Sequence, residues 1–295
     1  MTSVPHALES LDELCRFDEP VPWRVDLVQR QVGGGHTSRA ELAAIESHPD
    51  ATALTVSGLD QSSFETLVGT YGAQFSGIHF WKCPRVADLT PLEDLPNLTH
   101  VAFFWNQRAT RLWDFSCTPQ LRGLNLDDFT RVHDLSDLRT AASLEELKFG
   151  NKVWPKFVCC SLDPLESLTR LRRLTFNAKR IEDRRIEPLA ALRKLEYLGF
   201  PSNLFTTEQV AWLRARLPEA VTGPFLEPIR VFPLKPEGAL RETDVLVVGK
   251  RKPWLNSEKD AEKIQRYVDD FWSMVADFKR NPHALPVSTT KQSGT

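Results

Sequence analysis

The sequence predicts an α/β solenoid: a curved parallel β-sheet on a concave face, short 3₁₀ or helical returns on the convex face, and helical caps. Two observations predict it. An apolar-x-x-apolar-x-apolar line recurs seven times between residues 51 and 203. The segments joining successive lines carry apolar residues three apart, several with a proline near the start, which suits a tight helical turn.

The chain begins with a capping segment over residues 1–50. Trp23, Val25 and Leu27 alternate like a strand, and Gly33-Gly34-Gly35 reads as a loop. Ser38-Arg39-Ala40-Glu41 is a capping box that opens a short helix through Ser47, with Leu42, Ala43 and Ile45 as its apolar members. A solenoid exposes its core at each end, so a cap is expected there.

The seven lines are Ala51-Leu54-Val56, Phe75-Ile78-Phe80, Leu98-Val101-Phe103, Leu121-Leu124-Leu126, Leu144-Leu147-Phe149, Leu171-Leu174-Phe176 and Leu195-Leu198-Phe200. Their central members recur at 23 or 24 residues, with one interval of 27. The final i, i+2 pair of each line is the inward face of a short strand, because side chains alternate along a strand. A unit this small cannot enclose its own apolar residues, so neighbours must stack and share one core. Cys83, Asn106 and Asn203 stand three positions after their strands, where a short polar side chain can hydrogen-bond the turn backbone.

These residues resemble the leucine-rich repeat, L-x-x-L-x-L-x-x-N/C. The return Arg85-Val86-Ala87-Asp88-Leu89-Thr90-Pro91-Leu92-Glu93-Asp94-Leu95-Pro96-Asn97-Leu98 is similar to those of internalin-type and phosphatase-regulator-type repeats, as are Ser161–Leu168 and Ile186–Leu192. The resemblance covers about residues 51–203 and implies a non-catalytic binding module. Leu59, Phe129, Lys152 and Lys179 break the Asn ladder, and extra residues around Trp154–Cys160 imply an irregular bulge.

We divide the remainder as a solenoid over 51–225, a strand and long helix over 226–281, and a disordered tail over 282–295. Thr207–Leu217 reads as a helix, Val245–Val248 as a buried strand ended by Gly249, and Asn256 or Ser257 as the cap of a helix reaching about Lys279. The apolar face of that helix is Ala261, Ile264, Val268, Phe271, Trp272, Val275 and Phe278. It either docks on the end of the solenoid or forms a homo-oligomer interface.

The concave face is where function is expected. Its row between the two inward positions reads Thr55, His79, Ala102, Asn125, Lys148, Thr175 and Gly199. The next outward position reads Ser57, Trp81, Phe104, Asp127, Gly150, Asn177 and Pro201, followed by Gly58, Lys82, Trp105, Asp128, Asn151, Ala178 and Ser202. Adjacent strands lie about 4.8 Å apart, so Trp81, Phe104 and Trp105 cluster, with His79, Lys82 and His100 beside them and Asp127, Asp128 and Lys148 following. An aromatic group with a charged rim is the composition of a protein-binding hot spot. The alternative is that the chain's own termini fold over it.

Composition narrows the function classes. The 295 residues carry 37 basic and 39 acidic side chains, a net charge of −2, which argues against nucleic-acid binding by bulk charge. Five cysteines without regular spacing exclude a disulfide framework and point to a reducing, cytoplasmic setting, as does the lack of a secretory pattern at the start. No apolar run approaches the length of a membrane helix. No metal-ligand spacing, nucleophile elbow or phosphate loop is present, so neither cofactor nor metal nor enzymatic activity is expected. Lys250-Arg251-Lys252 reads as a solvated loop, Cys159-Cys160 as free thiols, and Asn97-Leu98-Thr99 as an unused glycosylation sequon. The expected function is recognition of another protein through the concave face, with assembly through the C-terminal helix as the alternative.

Overall fold

The computed structural model describes residues 6–16, 19–153, 157–233 and 243–286. Its strands are β1 Arg24–Leu27, β2 Ala53–Val56, β3 Gly77–Trp81, β4 His100–Asn106, β5 Gly123–Phe129, β6 Glu146–Gly150, β7 Val158–Cys159, β8 Arg173–Asn177, β9 Arg180–Ile181, β10 Tyr197–Gly199, β11 Ile229–Val231, β12 Val245–Val247 and β13 Trp254–Leu255. Its α-helices are α1 Leu11–Cys15, α2 Arg39–Leu42, α3 Gln61–Tyr71, α4 Thr207–Arg216 and α5 Ala261–Arg280.

Eight strands form one sheet in the order β1-β2-β3-β4-β5-β6-β8-β10. All neighbours are parallel, and the register matches the repeat: Leu54 faces Ile78, which faces Val101, then Leu124, Leu147, Leu174 and Leu198. The row is fully buried, and each such side chain contributes about 2 kcal/mol of transfer free energy. The second inward position builds a phenylalanine spine in which Phe80 stacks on Phe103 at 4.6 Å and Phe149 on Phe176 at 5.2 Å. The sheet has one strand more than the seven lines, because β1 pairs with β2 through Val25 and Leu54.

The returns at Thr90–Asp94, Phe115–Cys117, Ser136–Thr140, Asp163–Ser167 and Glu187–Ala191 are 3₁₀ turns, each burying an apolar residue. The first return departs from this and is the full helix α3. Asp60 accepts from Ser63 N there in a capping box, while Phe64, Leu67 and Val68 enter the core. Asn106 performs the turn role expected of it: its Nδ2 donates to Val86 O at 2.9 Å and its Oδ1 accepts from Ala109 N at 2.9 Å. Cys83 is buried with its Sγ 3.7 Å from Val56 O, whereas Asn203, past the last strand, is exposed. The extra residues of the fifth repeat support a separate two-stranded parallel pair, β7 with β9; residues 154–156 of that insertion lie outside the described residues.

Both ends are capped. At the N-terminal end Ser38 forms the expected capping box with Glu41, and the helix continues as a 3₁₀ turn over Ala43–Ser47 that buries Ile45. At the other end α4 packs on the last return and α5 packs on α4, with Phe271, Val275 and Phe278 joining the main core. Ile264 and Tyr267 pack instead on the antiparallel sheet β11-β12-β13. Helix α5 starts at Ala261, later than expected, because Asn256 Oδ1 caps a preceding turn by accepting from Glu258 N and Lys259 N. The chain stays attached beyond Asn281: Trp212 Nε1 donates to Ala284 O at 2.8 Å. The remainder of the expected tail, 287–295, lies outside the described residues.

One N-terminal element was not legible in the sequence. Helix α1 lies on the concave side against β3, β4 and β5, with Leu8, Leu11 and Leu14 buried on the sheet.

Candidate functional site

Strands β2 to β5 leave the sheet through residues in the left-handed region at equivalent positions: Gly58 (φ 67°), Lys82 (φ 54°), Trp105 (φ 65°) and Asp128 (φ 57°). This conformation breaks the strand alternation, so consecutive residues no longer point to opposite faces. As a result Trp81, Lys82, Phe104 and Trp105 all line one pocket of about 620 Å³ at the C-terminal rim of the sheet. The rings of Trp81 and Phe104 stack with centroids 6.5 Å apart, and Lys82 Nζ sits 4.1 Å above the Trp81 ring. All four side chains are half-buried.

Two loops that sequence reasoning did not assign to the site complete the walls. Val32 comes from the loop ahead of the triple glycine and Val153 from the loop after β6; both are exposed. Gly34 and Gly58 are explained by close approach. A Cβ on Gly34 would come within 2.2 Å of Lys82 O, and one on Gly58 within 2.5 Å of Gly34 O. A triple glycine directly after a valine was the available signal for a loop laid against the strand ends.

The two aspartates have different roles. Asp128 is almost fully buried, and its Oδ1 accepts from Asn151 Nδ2 at 3.1 Å and from Lys152 N at 3.0 Å. It holds the Val153 loop in place and is not a free surface charge. Asp127 is half-buried and accepts from Asn125 Nδ2 at 3.1 Å. Burial pushes its carboxyl above the usual range, against the lowering effect of that hydrogen bond.

His79, His100 and Lys148, expected on the open concave surface, are covered or engaged by the N-terminal segment. His79 and His100 are each 3% exposed. Burial, reinforced by Arg24 and Lys152, holds His79 down to about 3. Burial and Arg122 hold His100 down to about 4, opposed by Glu146 and Glu13. Lys148 Nζ pairs with Asp12 at 2.6 Å and with Glu146 at 3.2 Å. Burial works against its charge, but the two carboxylates outweigh that and raise its pKa. The expected single patch therefore divides into an open aromatic rim and a covered polar bed.

Among the described residues no group of His, Cys, Asp or Glu is arranged to hold a metal ion, and no helix is long and apolar enough to cross a membrane. All five cysteines are free.

No protein-family model and no curated protein matches the chain. Solved structures do. An internalin C2 from Listeria monocytogenes is similar at 20% identity and a TM-score of 0.42, covering 63% of this chain and 73% of its own. An internalin from the same organism matches at 18% identity and 0.37, over 63% of this chain and 57% of its own. A leucine-rich-repeat protein of Leptospira interrogans matches at 16% identity and 0.43, over 63% and 45% respectively. The fold rests on the repeat geometry itself: inward residues in register from β2 to β10, 3₁₀ returns, and a buried Asn106 that holds its turn. The chain folds as a leucine-rich-repeat solenoid.

Proposed function

We propose that the protein is a non-catalytic recognition module that binds another protein through the aromatic rim pocket. The observation that carries this reading is the pocket itself. Trp81, Phe104 and Trp105 present large, half-buried ring surface beside two exposed valines, while Lys82 supplies charge at its edge. Trp and Tyr anchors seated in partly desolvated pockets dominate protein interfaces, and flanking charges set orientation and exclude wrong partners. A pocket of this size accepts one or two large apolar side chains of a partner segment. The free thiols support a reducing, cytoplasmic setting.

The test is selection of binders from a displayed peptide library, followed by affinity measurement on Trp81→Ala and Trp105→Ala variants. Loss of about 30-fold on either variant, equal to about 2 kcal/mol, is expected. Binders that hold both variants as tightly as the parent chain refute the reading.

The assembly alternative draws on Trp254 and Trp272, each 40% exposed. In that reading a second copy covers them, and solution mass would drop to that of a monomer on Trp272→Asp. The parts of the α5 face formed by Phe271, Val275 and Phe278 are already covered within the chain, which favours the recognition reading.

A further inference from the structure

The concave surface under α1 has the features of a receptor, and α1 has those of a ligand. In the sheet register Ala53 stands beside Gly77, and Gly77 beside His100, which stands beside Gly123. The absent side chains make room for leucines: a Cβ on Gly77 would lie 2.1 Å from Leu8 Cδ1, and one on Gly123 would lie 3.1 Å from Leu11 Cγ. Leu8, Leu11 and Leu14 form with Ala53 and Ala102 an apolar cluster separate from the main core. Two polar contacts orient the segment. Leu11 N donates to Glu146 Oε2 at 3.1 Å, and Asp12 pairs with Lys148.

Three facts separate this contact from ordinary core packing. A five-residue helix is far below the roughly 12–15 residues that hold a helix alone, so α1 is ordered only by its bed. The bed is largely polar, with Thr55, His79, His100, Asn125 and Glu146 beneath or beside the segment, a composition of surfaces and not of interiors. Thr55 Oγ1 and Asn125 Oδ1 are buried without a hydrogen-bond partner among the described residues, so the occupant satisfies the apolar half of the groove better than the polar half.

We propose that the concave face of β2 to β6 is a docking groove for a partner segment with leucines at i, i+3 and i+6, the last two on a short helix, and a carboxylate after the second, and that Leu8 with α1 is a tethered occupant which that segment replaces. The groove shares no residue with the rim pocket, so this proposal and the proposed function stand or fall separately.

The test uses the full chain and a fluorescent synthetic peptide with the sequence of residues 6–16. Wild type binds it weakly, because its own segment holds the groove closed in all but a small fraction of molecules. Leu11→Asp disables that segment, and the variant is expected to bind the peptide at least about tenfold tighter. Adding Lys148→Glu removes the gain, and a peptide carrying Asp12→Lys restores it. A folded Leu11→Asp chain that binds no tighter than wild type overturns the proposal. Hydrogen exchange on wild type decides the matter independently of any variant. Amides of residues 11–15 exchanging about 100-fold faster than those of β3 to β5 support a detachable segment, and equal rates overturn it.

Discussion

Asp128→Ala removes three features at one position. The carboxylate receives Asn151 Nδ2 at 3.1 Å, Lys152 N at 3.0 Å and Val153 N at 3.3 Å, and the residue is 2% exposed. Hydrogen bonds to a charged acceptor contribute about 1.5–3 kcal/mol each, but Lys152 and Val153 are exposed and their amides regain water, so about 3 kcal/mol is lost in all. Alanine keeps the Cβ that crowds the following carbonyl at φ 57°, a strain of about 1–2 kcal/mol that aspartate carries too. Glycine does not carry that penalty, and asparagine retains one acceptor oxygen. The expected order of destabilisation is therefore Ala above Gly above Asn, with the alanine variant down by about 3 kcal/mol. Urea unfolding at pH 7, followed by both far-ultraviolet dichroism and tryptophan emission, measures it; coincident transitions establish that a single free energy applies. A loss below about 1 kcal/mol for alanine, or a glycine variant less stable than alanine, refutes this account of the turn.

Acid should weaken the fold through two imidazoles. Below the ordinary value of 6.5 the unfolded chain takes up protons on His79 and His100, while the folded chain holds them neutral to about 3 and about 4. The unfolded state then binds more protons, so stability falls as pH falls, by about 1 kcal/mol per unit for each imidazole between pH 6 and 5. Urea midpoints across that range should drop in the parent chain and drop less in His79→Gln; an unchanged slope counts against the burial. Thiol labelling at pH 8 should leave Cys83 and Cys159 unmodified until unfolding, since burial pushes both up to about 12. Modification of either one in the folded chain, at the rate of a free thiol, contradicts their placement. Gly150→Ala should destabilise by more than about 2 kcal/mol, because its φ is 110° and the new Cβ would lie 2.2 Å from Asn177 O. A thermal midpoint equal to that of the parent chain rejects that.

The repeat was legible because each strand shows the same two inward residues to the same core, so one local rule is written seven times. Leu54, Ile78 and Val101 needed no distant information to be placed. Helix α3 was legible in principle, through the cap at Asp60 and Ser63 and the apolar Phe64, Leu67 and Val68, but the repeat lines themselves carry no information on the conformation of what joins them. Helix α1 was not readable in the same way. Leu8, Leu11 and Leu14 are spaced by three, but no local pattern says that their partners are Ala53, Gly77 and Ala102 on the far side of a sheet. The rim pocket falls between these cases. Trp81, Phe104 and Trp105 were placed together from the repeat alone, whereas the left-handed turn that brings Trp105 and Lys82 to the same side is set by backbone geometry. His79, His100 and Lys148 were placed on the correct face; what covers them comes from over forty residues away in the sequence.

The separation between α1 and its bed has a consequence for synthesis. Leu11 contacts Glu146 across 135 residues, and Asp12 contacts Lys148 across 136. The segment leaves the ribosome before the sheet, and the groove is complete only after β6 has followed. At about 5–20 residues per second this interval lasts roughly seven to twenty-seven seconds. During it the solenoid can grow strand upon strand, each new repeat templated by the last, while the leucines wait in solvent and the concave face stands open. The order of emergence thus lets α1 settle only after β6, although it is made before the sheet that receives it.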